Sequence, residues 1–267
     1  MEIKSKISII VTTYNSGKLL QACLNSIKNQ TFKNFEVIIV DEDSTDNTQE
    51  IVRKYGYKLI VKGKERCQKR NIGAENSRAD YLIFIDSDME LSPKLLEECL
   101  NYLSSETLIM IPEISFGIGF WAKCKAFERA MYVGGDIAQG VRVYPKKVFL
   151  KAHGFDEKML GIEDLDLFYR IKKQNKKIKV AEIKSFIYHN EGKLTYSQII
   201  KRMSFYSKSF VEYRKRHTPI AKKQLSILRY LKNLGNLIKH PILALGFVMI
   251  KLGEGTIVFY ALRNADT

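Results

Sequence analysis

Two carboxylates, Asp86 and Asp88, stand two positions apart at the end of the apolar run Tyr81-Leu82-Ile83-Phe84-Ile85. A run of that composition predicts a strand buried on both faces. Two ionised groups at its end are costly unless something cationic accompanies them. A hard divalent cation with oxygen ligands, Mg²⁺ or Mn²⁺, is the natural partner, and a cation bound this way commonly holds substrate phosphates too. Two solvated loop aspartates would leave the same letters, so this stretch alone leaves both readings open. The same pattern of acid after an apolar run recurs at Val40-Asp41-Glu42-Asp43.

The elements that must position these groups follow from periodicity. Short β-branched runs predict strands over 7–11, 35–40, 58–61 and 81–85. Helical spacing over 18–29 puts Leu20, Cys23, Leu24 and Ile27 on one face. Further helices are predicted up to Lys54, with Ser44 or Asp46 as cap, over 67–78 and over 93–103. Strands alternating with helices indicate an α/β protein with a parallel sheet. Ligands of such sheets bind beyond the carboxyl ends of the strands, so Thr12, Asp41 and Asp86 should face one crevice.

Beyond residue 110 the pattern is less regular. The segment 117–132 mixes Phe, Trp and Lys without a clear period, and Trp121 is a candidate for an acceptor groove. The three glycines of 134–140 suggest a loop with unusual backbone angles. A helix over 163–174 opens with acids, which suits its dipole, and a late strand lies within 178–188. Two basic amphipathic helices are expected over 196–217 and 220–239. The apolar stretch 241–262 is interrupted by Lys251, Gly253, Glu254 and Gly255. Its longest uncharged piece, 241–250, falls short of the ~20 residues of a membrane span, so an interfacial, re-entrant or packed segment is expected.

Composition narrows the classes. The chain has 267 residues and is 45% hydrophobic, enough for one large domain or a domain with an extension. Four cysteines without a C-x-x-C pair argue against a disulfide framework or a zinc site and fit a reducing compartment. The first residues run straight into a strand, with no signal-peptide pattern. The net charge is +15, and residues 190–267 hold 14 Lys and Arg against 4 Asp and Glu. Such a region calls for an anionic partner: nucleic acid, a phosphorylated substrate or an acidic membrane surface.

Six motifs in order resemble the family 2 glycosyltransferases. They are Thr13-Tyr14-Asn15 after the first strand, Val40-Asp41-Glu42-Asp43-Ser44-Thr45-Asp46, Arg70-Asn71-Ile72-Gly73, the D-x-D Asp86-Ser87-Asp88, Gly154-Phe155-Asp156 with Glu163-Asp164-Leu165-Asp166-Leu167-Phe168-Tyr169-Arg170, and a late His189. Glu42 departs from the pattern, which usually has Asp there. The resemblance covers roughly residues 7–190 and implies a GT-A fold, a Rossmann-like, mostly parallel sheet flanked by helices, over 1–190. A basic helical extension, 191–267, follows it.

The resemblance also implies roles. Asp164 is the expected catalytic base, with Glu163 as runner-up. Asp88 is the expected ligand of Mg²⁺ or Mn²⁺, with His189 as a second ligand or diphosphate contact. Thr12, Tyr14, Asp41, Arg70 and Asp86 are expected around the nucleotide-sugar. The implied reaction is inverting sugar transfer from a nucleotide-sugar, with UDP-sugars favoured over GDP-mannose, to an acceptor hydroxyl or phosphate. The basic, aromatic-rich tail suggests a lipid-linked acceptor and a peripheral place on the cytoplasmic face of an anionic membrane. The rival readings are a soluble enzyme of polysaccharide or protein glycan synthesis, or a non-catalytic sugar-nucleotide-binding module. A nicotinamide dehydrogenase would need G-x-G-x-x-G after the first strand, where only Gly17 stands. A sugar nucleotidyltransferase would need a glycine-rich N-terminal loop, absent from this sequence. Nucleic acid is an unsuitable partner, because acids at successive strand ends repel its phosphates.

Overall fold

The computed structural model describes residues 6–131, 140–225 and 234–265. Most of the expected 134–140 loop and the middle of the expected 220–239 helix lie outside them. The described chain forms two compact units, one from Met1–Glu113, Gly140–Glu157 and Glu163–Tyr188, the other from Ile114–Gln139, Lys158–Ile162 and His189–Thr267.

In the first unit the elements run β1 (Ile7–Thr13), α1 (Leu20–Lys28), β2 (Phe35–Asp41), α2 (Thr48–Tyr55), β3 (Lys58–Val61), α3 (Arg66–Glu75), β4 (Tyr81–Asp86), β5 (Met89–Leu91), α4 (Leu95–Leu100) and β6 (Thr107–Met110). After β7 (Glu113–Ile118) and α5 (Phe120–Ala130), which lie in the second unit but for Glu113, the first unit resumes. It adds β8 (Val141–Pro145), α6 (Lys146–Lys151), α7 (Glu163–Gln174) and β9 (Lys179–Glu182). Seven strands form one sheet in the order β3-β2-β1-β4-β8-β6-β9. The first four are parallel neighbours, while β8 runs antiparallel to both β4 and β6.

The chain starts at the centre, builds β2 and β3 to one side, then returns to place β4 on the other side of β1. The strand order therefore reverses between β1 and β4, the place where open α/β sheets bind ligands. Register aligns the ends there: Thr13 pairs with Asp41 and Thr12 with Asp86. The strands reach this edge because Ile7, Ile9, Val11, Ile83 and Ile85 are fully buried in one core with Leu20, Cys23, Leu24 and Ile27 of α1. A second layer is aromatic, with Phe84, Tyr144, Phe149 and Phe155 within 6.2 Å of one another. The four cysteines are free and buried, and burial raises each thiol above its ordinary range.

The second unit contains the rest: β7 from Ile114, α5, β10 (Ile187–Lys193) from His189, α8 (Tyr196–Arg216), α9 (Thr218–Leu225), α10 (Leu234–Lys239) and α11 (Pro241–Ala265). Of the unassigned 117–132 stretch, residues 117–131 resolve into the end of β7, helix α5 and the turn after it. The 241–262 stretch, though interrupted by charges and glycines, is one continuous helix. Its mean hydropathy of 1.8 over its most apolar window makes it long and apolar enough to cross a membrane. Neither Gly253 nor Gly255 ends it, because an isolated glycine costs a helix only ~1 kcal/mol, an amount tertiary packing readily offsets.

Gly73 lies where α3 crosses β1, and a Cβ there would collide with Ile10 of the sheet. Alanine favours a helix over glycine by ~1 kcal/mol, but overpacking costs ~1–3 kcal/mol. Gly73→Ala is therefore expected to lower stability in a urea titration, and a higher midpoint would contradict this close approach.

Candidate active site

The site is built around one guanidinium. Arg70 projects from α3 and is 1% exposed. Its Nη2 donates to Asp86 Oδ1 at 2.8 Å, and its Nη1 donates to Glu163 Oε1 at 3.1 Å and to Asp164 Oδ1 at 3.3 Å. The end of β4 and the start of α7 thus meet on a single cation, although 78 positions separate Asp86 from Asp164. The guanidinium also lies 5.3 Å from the Phe155 ring centre. Asn71 fixes that ring's backbone, donating to Phe155 O at 2.8 Å and accepting from Phe155 N at 2.9 Å. Gly154, just before it, has φ +63 and leaves no room for a Cβ beside Asn71 Oδ1. The R-N-x-G and G-F segments are therefore two halves of one clamp.

Three more cations surround the acids. Arg66 Nη2 lies 2.6 Å from Glu163 Oε1. Arg142, from β8, binds Glu113 through Nη2 and through Nε at 3.0 Å, with its Nη1 3.8 Å from Asp86 Oδ2. Lys69 donates to Glu42 at 2.8 Å and to the Thr13 carbonyl at 3.0 Å. Glu42, the departure from the family pattern, thus has a cationic partner of its own. None of Arg66, Lys69, Arg142 or Glu113 was singled out from sequence. Arg142 had a signal: it is a lone charge inside Val141-Arg142-Val143-Tyr144, a strand buried throughout.

Electrostatics separate the two α7 acids by access. Glu163 is 2% exposed and held by Arg66 and Arg70, whereas Asp164 is 22% exposed. Burial raises the Asp164 carboxyl above the ordinary range, and Glu163 beside it adds to the rise, against the pull of Arg70 and Arg142. Arg70 and Arg142 are driven the other way: burial disfavours their charge, but the surrounding carboxylates hold both firmly protonated.

The remaining sequence candidates divide by surroundings. Asp41 is fully buried, and its oxygens accept from Thr13 Oγ1, Ser44 N, Ser44 Oγ and Gln49 Nε2 at 2.6–3.2 Å. Those four donors fill a carboxylate's lone-pair positions. Ser44, expected as a possible helix cap, serves this carboxylate instead, and Asp46 accepts from Thr48 N at 3.0 Å at the start of α2. Thr12 is buried beside Asp86, while Tyr14 is 58% exposed with Lys69 Nζ 6.0 Å from its ring centre. Asn15 Oδ1 accepts from Thr45 N at 2.9 Å, tying the first strand end to the loop after the second. Asp88 is half-buried in the turn between β4 and β5. His189 is buried on β10 in the second unit, and Trp121 packs on Tyr196 there, ring centres 4.8 Å apart.

No group of three His, Cys, Asp or Glu suited to a metal occurs among the described residues. Mg²⁺ is commonly held by one or two carboxylates, water and substrate phosphates, without a cage of protein ligands. The half-buried carboxylate of Asp88, at the strand-end crevice, fits that mode as an oxygen donor.

Removing the central cation should be costly. Arg70→Met leaves buried Glu163 beside Asp86 and Asp164 with less positive charge to offset them. Breaking a buried pair in this way costs ~3–5 kcal/mol, expected as a loss of that size in chemical denaturation. A loss below ~1 kcal/mol, the range of exposed pairs, would contradict a buried node.

Known proteins are similar to this chain in sequence and in fold. Residues 8–154 match the family model described as Glycosyl transferase family 2. The chain is 31% identical over 170 residues to the putative glycosyltransferase EpsH of Bacillus subtilis, covering 61% of this chain and 47% of that protein. It is 32% identical over 143 residues to the poly(ribitol-phosphate) beta-N-acetylglucosaminyltransferase TarP of Staphylococcus aureus, covering 50% and 43%. The chain thus spans less than half the length of these relatives. Two solved structures share the fold. The mannosyltransferase PcManGT of Pyrobaculum calidifontis, in complex with GDP-Man and Mn²⁺, superposes with a TM-score of 0.66 at 13% identity over 97% of this chain and 88% of that one. TarS 1-349 of S. aureus, in complex with UDP-GlcNAc, gives 0.54 at 18% identity over 98% and 91%. The sheet is that of a GT-A fold, and with a family match over more than half its length the chain belongs to glycosyl transferase family 2.

Proposed function

We propose that the protein is an inverting glycosyltransferase whose catalytic base is Asp164. The observation that carries this reading is the junction of Asp86, Glu163 and Asp164 on Arg70 at the edge where the strand order reverses. On this reading the proton acceptor, Asp164, and the acids facing the donor meet at that junction.

In the proposed reaction the acceptor hydroxyl gives its proton to Asp164, and its oxygen bonds to the anomeric carbon of the donor sugar. The bond from that carbon to phosphate breaks, and the electron pair leaves with the nucleoside diphosphate. Attack from the face opposite the leaving group inverts the anomeric centre. Asp164 suits the base role because it is the more accessible of the two α7 acids, while Glu163, sealed beneath it, positions Arg66 and Arg70. Arg70 is assigned a positioning role, as its donors already hold the three carboxylates.

Thr12, Tyr14, Asp41 and Asp86 are assigned to the nucleotide-sugar. Tyr14 offers an exposed ring to a base, and Asp41 shapes the loop beside it. A base N–H would reach Asp41 by displacing Gln49, the longest of its four bonds at 3.2 Å. Asp88 would hold Mg²⁺ or Mn²⁺, which would neutralise the departing diphosphate when bound. UDP-sugars are the favoured donors and GDP-mannose the alternative; the solved relatives bound to UDP-GlcNAc and to GDP-Man with Mn²⁺ support both. A lipid-linked saccharide is the proposed acceptor, by virtue of the basic tail.

Asp164→Asn is expected to lower kcat by ~10²–10⁴-fold, the usual contribution of a general base, while calorimetry still detects nucleotide-sugar binding. Because the folded environment raises the Asp164 pKa, the wild-type rate should fall as pH falls through that raised value, above the ordinary carboxylate range. Full transfer by Asp164→Asn, or an unchanged acid limb in its residual rate, would sink the assignment.

Asp88→Asn should abolish the Mn²⁺-dependent part of the thermal shift given by UDP- or GDP-sugars, with the ligand-free melting temperature unchanged. An equal Mn²⁺-dependent shift in the variant would remove Asp88 from the metal site.

A further inference from the structure

Helix α11 has two charges within its apolar length, Lys251 and Glu254, and both are turned onto α5. Lys251 Nζ donates to Glu128 Oε1 and, at 2.6 Å, to Glu254 Oε2. Lys125 Nζ donates to Glu128 Oε2 at 2.7 Å and to Glu254 Oε1 at 3.2 Å. Two cations and two anions close a neutral quartet. Burial alone would raise the Glu128 carboxyl, but the two ammonium groups together hold it far below the usual range.

Two glycines fix the same face. A Cβ on Gly246 would collide with Cys124 Sγ of α5, and one on Gly253 would lie 2.5 Å from Tyr196 Oη of α8. Between them Ile250 is fully buried. This face of α11 is therefore committed to protein.

The opposite face is apolar and exposed. Ile242, Leu245, Met249, Leu252 and Phe259 follow helical spacing and are 71, 64, 43, 67 and 62% exposed. At ~1.5 Å per residue the stripe is ~25 Å long. Exposed Lys239 and Arg263 bracket it, and exposed Lys201, Arg202, Lys208 and Lys215 of α8 add positive charge within the same unit. A long apolar stripe bracketed by cations, in a region of strong basic excess, matches the chemistry of an anionic lipid surface.

We propose that α11 lies in the plane of an anionic bilayer, its exposed stripe among the upper acyl chains, while α5 neutralises Lys251 and Glu254 from the protein side. The in-plane arrangement follows from the quartet. A spanning α11 would carry Lys251 and Glu254 to mid-bilayer, and with them α5, whose Lys123 is exposed and whose Lys125, Glu128 and Arg129 are ionisable. An in-plane helix keeps every one of these charges on the protein side. This inference does not rest on the catalytic reading and can fail without it.

The test uses the full chain and flotation with vesicles of phosphatidylcholine, with and without phosphatidylglycerol. The protein should float with the anionic vesicles. The variant Leu245→Glu/Leu252→Glu/Phe259→Glu should partition at least about tenfold less, since each apolar side chain withdrawn from lipid weakens binding. Its melting temperature in lipid-free buffer should be unchanged, because all three positions are exposed. Recovery of the wild type in the lipid-free fraction, or equal flotation of the variant, would overturn the proposal. So would a dimer dispersed by the triple change without vesicle binding, which would assign the stripe to a second copy. Nitroxide labels on cysteines introduced at 242, 252 and 259 should report equal depth. A maximum at 252 with shallow ends would mean a spanning helix and also overturn it. The native cysteines are all buried, which keeps labelling at the introduced sites.

Discussion

A buried guanidinium surrounded by carboxylates is the constraint on which the site depends. Withdrawing Arg70 from water costs several kcal/mol, and each acid beside it carries a similar penalty. Only together are they tolerable. Asp86 and Asp164 sit on different elements, and neither could approach the other without the cation between them. Arginine suits this place where lysine would not, because its planar fork offers separate donors to separate acids. Arg70 reaches Asp86 through one terminal nitrogen and the two α7 acids through the other.

The fold prepares that meeting in stages. The apolar run of β4 carries Asp86 to the sheet edge, and register places it beside Thr12 of β1. The close approach at Gly73 sets α3 against β1, and the neighbouring Asn71 grips the backbone of Phe155. The Phe155 ring then lies 5.3 Å from the guanidinium. β8 brings in Arg142, so that Asp86 faces two arginines. Structural and chemical tasks are thus shared among adjacent letters of one motif: Arg70 serves charge, Asn71 serves a loop and Gly73 serves packing.

Much of this was legible in the sequence, for identifiable reasons. Strands β1, β2 and β4 announce themselves because their side chains are mostly buried on both faces, and the 163–174 helix because its acids and apolar residues keep helical order, whereas β5, β6 and β8 were not predicted. The crevice at Thr12, Asp41 and Asp86 followed from α/β topology alone. Partnerships were not legible. Nothing in spacing tells that Arg70 faces inward to three acids, since those contacts join segments 16 to 94 positions apart in sequence. The continuity of α11 was hidden for a related reason. Lys251 and Glu254 read as interruptions until their partners Lys125 and Glu128, over 100 positions away, are seen beside them.

In the proposed reaction these residues form one centre for direct displacement at an anomeric carbon. The most direct measurement needs no acceptor: proton NMR of the sugar first released when the enzyme hydrolyses a nucleotide-sugar, followed before mutarotation. The expected product is the anomer opposite to that of the donor, since water would take the acceptor's place on the Asp164 side. Release of the donor's own anomer would contradict it.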